Sequence, residues 1–151
     1  MSLRFAYKAL KTGSPVFPLG GRMGRPKPLV LATVIGPAAA RPFTGLLDTG
    51  ADDTVLPEQI AALIGLDLTN APVGQGAGVG GTPLLLRYAQ VKLRLTDGRE
   101  FREWPAWVGF TASPLSRSLL GFAGCLQFFD ANFLGAREEV ELTVNSLYPG
   151  T

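Results

Sequence analysis

The sequence predicts an all-β domain with one or two short helices, and three observations carry that prediction. Between residues 87 and 96, Ala89, Val91, Leu93 and Leu95 alternate with Tyr88, Gln90, Lys92, Arg94 and Thr96, the period-two pattern of a half-buried strand. The other apolar runs are short and are punctuated by 19 glycines and 12 prolines, which favours many strands joined by turns. One segment, "PEQIAALIGL", reads clearly as a helix, with Pro57 in its first turn and Gly65 at its end. At 151 residues, 46% of them apolar, the chain is long enough to bury one core, and a single domain is expected.

The elements follow in order. "LRFAYKAL" (residues 3–10) reads as a short strand with Leu3, Phe5 and Tyr7 on one face. "GSPVFPLGGRMGRPKP" (13–28) is basic and rich in glycine and proline, so a loop or arm is expected there. Residues 1–27 are accordingly taken as an N-terminal extension and 28–151 as the domain proper. "LVLATVI" and "RPFTGLLD", separated by "GPAAA", predict a hairpin that leads into Asp48. "TVLP" is a second short strand before the helix, and "NAPVGQGAGVGGTP" is too glycine-rich to form a core alone. After the period-two strand, Asp97-Gly98 predicts a type I′ hairpin turn, from which "REFREWPAWVGF" returns. "SLLGFAGCLQFF" begins as a strand end and runs into a short helix; "NFLG" and "EVELTVN" form a last hairpin.

Composition excludes several chemistries. The chain has no histidine, so a Ser-His-Asp or Cys-His centre is impossible, as is a His-ligated metal. A single cysteine, Cys125, rules out an intrachain disulfide and a Cys-rich zinc site. No serine is followed three positions later by lysine. If the protein hydrolyses a substrate, carboxylates must do the acid–base work.

Charge is uneven. Residues 1–47 carry seven basic side chains and no acid, whereas the rest carry seven basic and twelve acidic, a net of −5. The basic residues are scattered with few aromatics between them, which favours a solvated face over a nucleic-acid surface. The apolar run "PLVLATVIGPAAA" is about 13 residues, too short to span a bilayer. It also begins nearly thirty residues in, behind a strand-like segment, which does not suit a signal peptide. No membrane association is expected, and a cytoplasmic location is.

Two motifs point away from cofactors. Gly76, Gly78 and Gly81 form a G-x-G-x-x-G, but a dinucleotide site needs a helix after it, and here a strand follows. Those glycines are expected to make a β-turn instead. Asp48, Asp52 and Asp53 do not fit the calcium-loop pattern, and no glutamate closes a loop at the right distance. Neither a metal nor a cofactor is expected.

What remains is a constellation: an apolar strand, Asp48-Thr49-Gly50-Ala51, the strand "TVLP", a glycine-rich hairpin, and later Leu119-Leu120-Gly121. In this order the motifs resemble the retropepsin-like aspartic proteases, the single-lobe relatives of pepsin that include retroviral proteases. "LLDTGADDTVLP" is the most specific part, and the resemblance spans residues 33–144, about three quarters of the chain.

The resemblance implies a closed pepsin-like β-barrel. It also implies an endopeptidase in which two carboxylates share one proton, one activating water and the other holding a proton against the scissile carbonyl. The chain has a single D-T-G, so the pair must form across a two-fold axis, from Asp48 of each protomer of a homodimer. On the same basis Thr49 would hydrogen-bond across the dimer axis and Gly50 would let the backbone approach the carboxylate. Ala51, Asp52 and Asp53 would border the bound peptide, with Asp52 holding its main chain. Gly78, Val79, Gly80 and Gly81 would form a flap over the substrate, and Leu119 and Leu120 would line apolar subsites and pack under the catalytic loop. "FAGCLQFF" would supply the helix that follows the "LLG". The chain departs from the pattern in placing Phe122 and Ala123 after Gly121, where many relatives carry an arginine that pairs with the acid at position 52. A peptide-binding module without turnover on the same fold, or an unrelated barrel in which "DTGADD" is only a polar turn, are the alternatives. Non-catalytic relatives usually lose the Asp, Thr or Gly of the motif, and this chain keeps all three.

Overall fold

The structure, a computed structural model, describes residues 1–77 and 83–151. It is mostly β. The strands are β1 (Leu3–Ala6), β2 (Lys8–Val16), β3 (Arg22–Lys27), β4 (Leu29–Ile35), β5 (Ala40–Leu47), β6 (Val55–Pro57), β7 (Val73–Ala77), β8 (Pro83–Thr96), β9 (Phe101–Thr111), β10 (Ser118–Leu120), β11 (Phe129–Leu134) and β12 (Glu139–Val144). One α-helix, α1 (Glu58–Leu63), follows β6.

Seven strands form the main sheet in the order β4-β5-β10-β6-β9-β8-β7. Its ladder returns to the first strand, because Ala32–Ile35 of β4 also pair antiparallel with Leu95–Lys92 of β8. The period-two residues explain this placement. Val91, Leu93 and Leu95 point into the core together with Val30, Ala32 and Val34, while Gln90, Lys92 and Arg94 face solvent. A second sheet, β1-β12-β11, closes one side of the molecule, and β1 inserts Leu3 fully into the core. Trp104 of β9 joins the two sheets. Its ring meets Phe129 edge-on at 5.1 Å and lies 6.1 Å from Tyr148, and its indole N–H donates to the Gly124 carbonyl at 2.8 Å.

Three expectations are corrected. Residues 13–28 are largely a hairpin: β2 and β3 pair antiparallel from Lys8 opposite Lys27, with a register shift between Lys11 and Val16. Proline does not prevent this, because each strand of a two-stranded ribbon has an unpaired edge where a missing N–H costs nothing. The β8–β9 connection is not a two-residue type I′ turn. Pairing stops at Thr96 opposite Phe101, which leaves four loop residues. Of these only Gly98 takes a positive φ, 88°, and the Asp97 carboxylate organises the loop by accepting the amides of Arg99 and Glu100 at 2.9 and 2.8 Å. Finally, the helix expected after "LLG" is a single 3-10 turn, Leu126–Phe128. Phe129 must enter β11 at once to meet Trp104, so the chain has no room for a longer helix.

Among the described residues no helix is long and apolar enough to cross a membrane.

Candidate active site

Asp48 stands where two parallel strands end together. β10 lies beside β5 with Leu119 opposite Leu46 and Leu120 opposite Leu47. The Asp48 amide continues the ladder one bond further, donating to the Leu120 carbonyl at 3.1 Å. Asp48 to Ala51 make a four-residue turn, closed by the Ala51 amide on the Asp48 carbonyl at 3.1 Å. Within that turn the Gly50 amide donates to Asp48 Oδ1 at 2.9 Å. A carboxylate at the end of an apolar strand therefore receives a backbone donor from its own turn, which offsets part of the cost of partial burial. Asp48 is half-buried, while Thr49 and Gly50 are exposed.

The segment after the turn is clamped by the one after Leu120. The Phe122 amide donates to the Ala51 carbonyl at 2.9 Å and the Ala123 amide to the Asp52 carbonyl at 2.8 Å. In return, both the amide and the hydroxyl of Thr54 donate to the Ala123 carbonyl, at 3.1 and 2.9 Å. The two chains run so close that a Cβ on Gly121 would lie 2.2 Å from the Asp53 carbonyl oxygen. This explains why the "LL" of β10 must be followed by glycine. Leu120 is buried beneath the turn and Leu119 is half-buried.

The remaining acids differ in their surroundings. Asp52 is exposed, and among the described residues its carboxylate accepts no hydrogen bond and makes no ion pair. Phe122, beside it across the clamp, leaves 60% of its surface exposed. Asp53 is half-buried, and its Oδ2 accepts a hydrogen bond from the Tyr88 hydroxyl at 3.2 Å. Burial, the Asp53 charge and this hydrogen bond together push the Tyr88 phenol above its ordinary pKa.

Gly78, Val79, Gly80 and Gly81 lie outside the described residues. The strands on either side of them, β7 and the start of β8, pair antiparallel from Val73 opposite Arg87 to Ala77 opposite Pro83. No group of three or more His, Cys, Asp or Glu side chains is placed to hold a metal ion among the described residues. Cys125 is fully buried, and burial pushes its thiol up to about 12, so it carries no thiolate chemistry near neutral pH.

Sequence reasoning missed two residues here. Thr54 is completely buried, and its hydroxyl ties β6 to the segment after Gly121, yet within "DDTVLP" it reads only as a strand residue. Tyr88 sits on the polar face of the alternation, where only its ring hinted at a packed position.

Chemically, one chain presents one oriented carboxylate on an exposed turn. Such a group can take a proton from water but cannot also hold one against a carbonyl oxygen; the second task needs another acid.

A family model described as aspartyl protease matches residues 30–123. No curated protein matches the chain significantly in sequence. Among solved structures, the chain is similar to a retropepsin-like aspartic protease from Rickettsia conorii, with 15% identity and a TM-score of 0.55 over 94% of this chain and 90% of that one. At that identity the likeness establishes the retropepsin-like fold.

Proposed function

The chain belongs to the aspartyl protease family, and we propose that it is an aspartic endopeptidase active as a homodimer. The observation that carries the reading is the exposed turn at the end of β5 and β10, which holds Asp48 with its Oδ1 on the Gly50 amide. A second copy placed across a two-fold axis supplies the second carboxylate, and two acids that close share a single proton. The ionised partner takes a proton from the attacking water while the protonated one donates to the carbonyl oxygen of the peptide bond. Thr49, exposed on the same turn, would hydrogen-bond across the dimer axis.

The substrate would be an extended peptide bordered by Ala51, Asp52, Asp53 and Leu119, with Leu120 supporting the turn from below. Gly78, Val79, Gly80 and Gly81, carried between β7 and β8, would cover it. The return of the sheet ladder from β8 to β4 supports a closed barrel as the frame.

Asp48→Asn decides the matter. Incubated with a diverse peptide library between pH 4 and 8 and read by mass spectrometry, the wild type should cut and the variant should lose about 10²–10⁴-fold or more of that activity. Equal cutting by both would move the chemistry elsewhere. No cutting by a folded, dimeric wild type would favour a peptide-binding module on this fold.

A further inference from the structure

We propose that Tyr88 is a positioning residue, one that ties the root of the β7–β8 ribbon to the Asp53 carboxylate and so fixes how that carboxylate meets a bound peptide. The inference rests on the protease reading of the site.

The placement comes from the ladder. Residues 83–86 of β8 pair with β7 alone, Arg87 pairs with both β7 and β9, and from Tyr88 onward the strand runs beside β9. Tyr88 is therefore one residue inside the point where a two-stranded ribbon leaves the main sheet. Its amide donates to the Pro72 carbonyl at 2.9 Å, just before β7 begins.

Its ring is seated on the ribbon. A Cβ on Gly74 would lie 2.6 Å from Tyr88 Cε2 and 3.0 Å from its hydroxyl oxygen. Leu86, two residues earlier on the same face of β8, behaves alike: Cβ atoms on Gly76 and Gly109 would lie 3.2 and 3.1 Å from its Cδ1. Leu86 is fully buried yet lies outside the main core cluster, so ribbon and sheet meet in a small packing unit of their own. Two glycines of the glycine-rich segment, Gly74 and Gly76, thus make room for Tyr88 and Leu86.

The hydroxyl then reaches out of this unit to Asp53 Oδ2. The backbone of Asp53 is already fixed by its bridge to Ala123 and by Gly121 against its carbonyl. One carboxylate oxygen is thus held by a neutral donor, and Oδ1 accepts no hydrogen bond among the described residues. A half-buried carboxylate with one oxygen held presents the other in a single orientation, which lowers the cost of ordering it when a peptide binds.

Hydrogen exchange on the full chain tests the tie without requiring turnover. Tyr88→Phe keeps the ring and removes the donor; Asp53→Ala removes the acceptor; Asp53→Asn keeps an acceptor oxygen. Amides in residues 73–76 and 84–87 should exchange about 10-fold faster in the first two variants and near the wild-type rate in Asp53→Asn. The double variant Tyr88→Phe with Asp53→Ala should be no faster than the faster single one, because each removes the same bond. Unchanged exchange in Tyr88→Phe, or effects that multiply in the double variant, would overturn the proposal and leave Tyr88 a packing residue. On a peptide that the wild type cleaves, Tyr88→Phe should raise KM about 5-fold while changing kcat less than about 2-fold; a loss confined to kcat would also overturn it. If the wild type cleaves nothing, the protease reading fails on its own test, and exchange still decides the contact.

Discussion

Gly121→Ala is the sharpest test of how the Asp48 turn is held. The added Cβ would lie 2.2 Å from the Asp53 carbonyl oxygen, and 2.7 Å from both the Ala51 carbonyl oxygen and the Asp53 carbonyl carbon. Carbon–oxygen contacts between backbones settle near about 3.3 Å, so the two segments must separate by roughly 1 Å. All three neighbours are backbone, and no side chain can rotate away to absorb the clash. The bonds from Phe122 to Ala51 and from Ala123 to Asp52, now 2.9 and 2.8 Å, would stretch beyond useful length. Two bonds at about 1 kcal/mol each, with about 1–3 kcal/mol for overpacking, give a destabilisation of about 3–5 kcal/mol. For a domain of this size that corresponds to a fall in Tm of about 8–15 °C. The assay is thermal and urea unfolding beside Gly135→Ala, where a Cβ meets nothing within 4 Å and the change should stay within about 0.5 kcal/mol. If Gly121→Ala is destabilised by less than about 1 kcal/mol and its turn is unmoved, the clamp is not what holds Asp48.

Two further outcomes follow from the geometry. Thr54→Val keeps the shape of a fully buried side chain but removes the hydroxyl that donates to Ala123, and urea unfolding should show a loss of about 1–2 kcal/mol; no loss would mean that the Thr54 amide alone satisfies that carbonyl. Burial pushes the Asp97 carboxyl up, but the amides of Glu100, Arg4 and Arg99 outweigh burial and hold it below the ordinary aspartate value. A depressed folded pKa means that the stability from these bonds is present above the unfolded value, near about 3.9, and is lost as pH falls through the folded one. A carboxyl-detected NMR titration should therefore place the Asp97 midpoint below that of an unstructured peptide, and a midpoint at or above it would refute the loop assignment.

The strands that frame the site were legible because their burial follows a simple period. Residues 29–47 and 87–110 alternate or run apolar in register with the observed β4–β5 and β8–β9 ladders; Gly65 follows the end of α1, while Pro57, expected in its first turn, is its N-cap and the last residue of β6. Where the reading failed, the cause was a residue whose role depends on a distant segment. Asp97-Gly98 looks like a two-residue turn locally, but the Asp97 carboxylate also accepts the amide of Arg4, 93 residues away, and a four-residue loop serves all its donors. The prolines of residues 13–28 argue for a loop only if both edges of each strand must pair, and in β2–β3 they need not.

The same distinction separates the parts of the candidate site. Asp48, Gly50 and Gly121 could be picked out because a short turn and a close backbone crossing leave few residue types that fit. Thr54 and Tyr88 could not, since a threonine at the start of a predicted strand and a tyrosine on a polar face are compatible with many environments. Their partners, Ala123 and Asp53, lie 69 and 35 residues away, and only the fold brings them together. It follows that the D-T-G motif specifies the carboxylate, whereas its fixed position depends on the later segment 118–123, which runs beside β5 and clamps the residues after the turn. Substitutions in that segment, far from Asp48 in sequence, should therefore disturb the site as severely as changes within the motif's own turn.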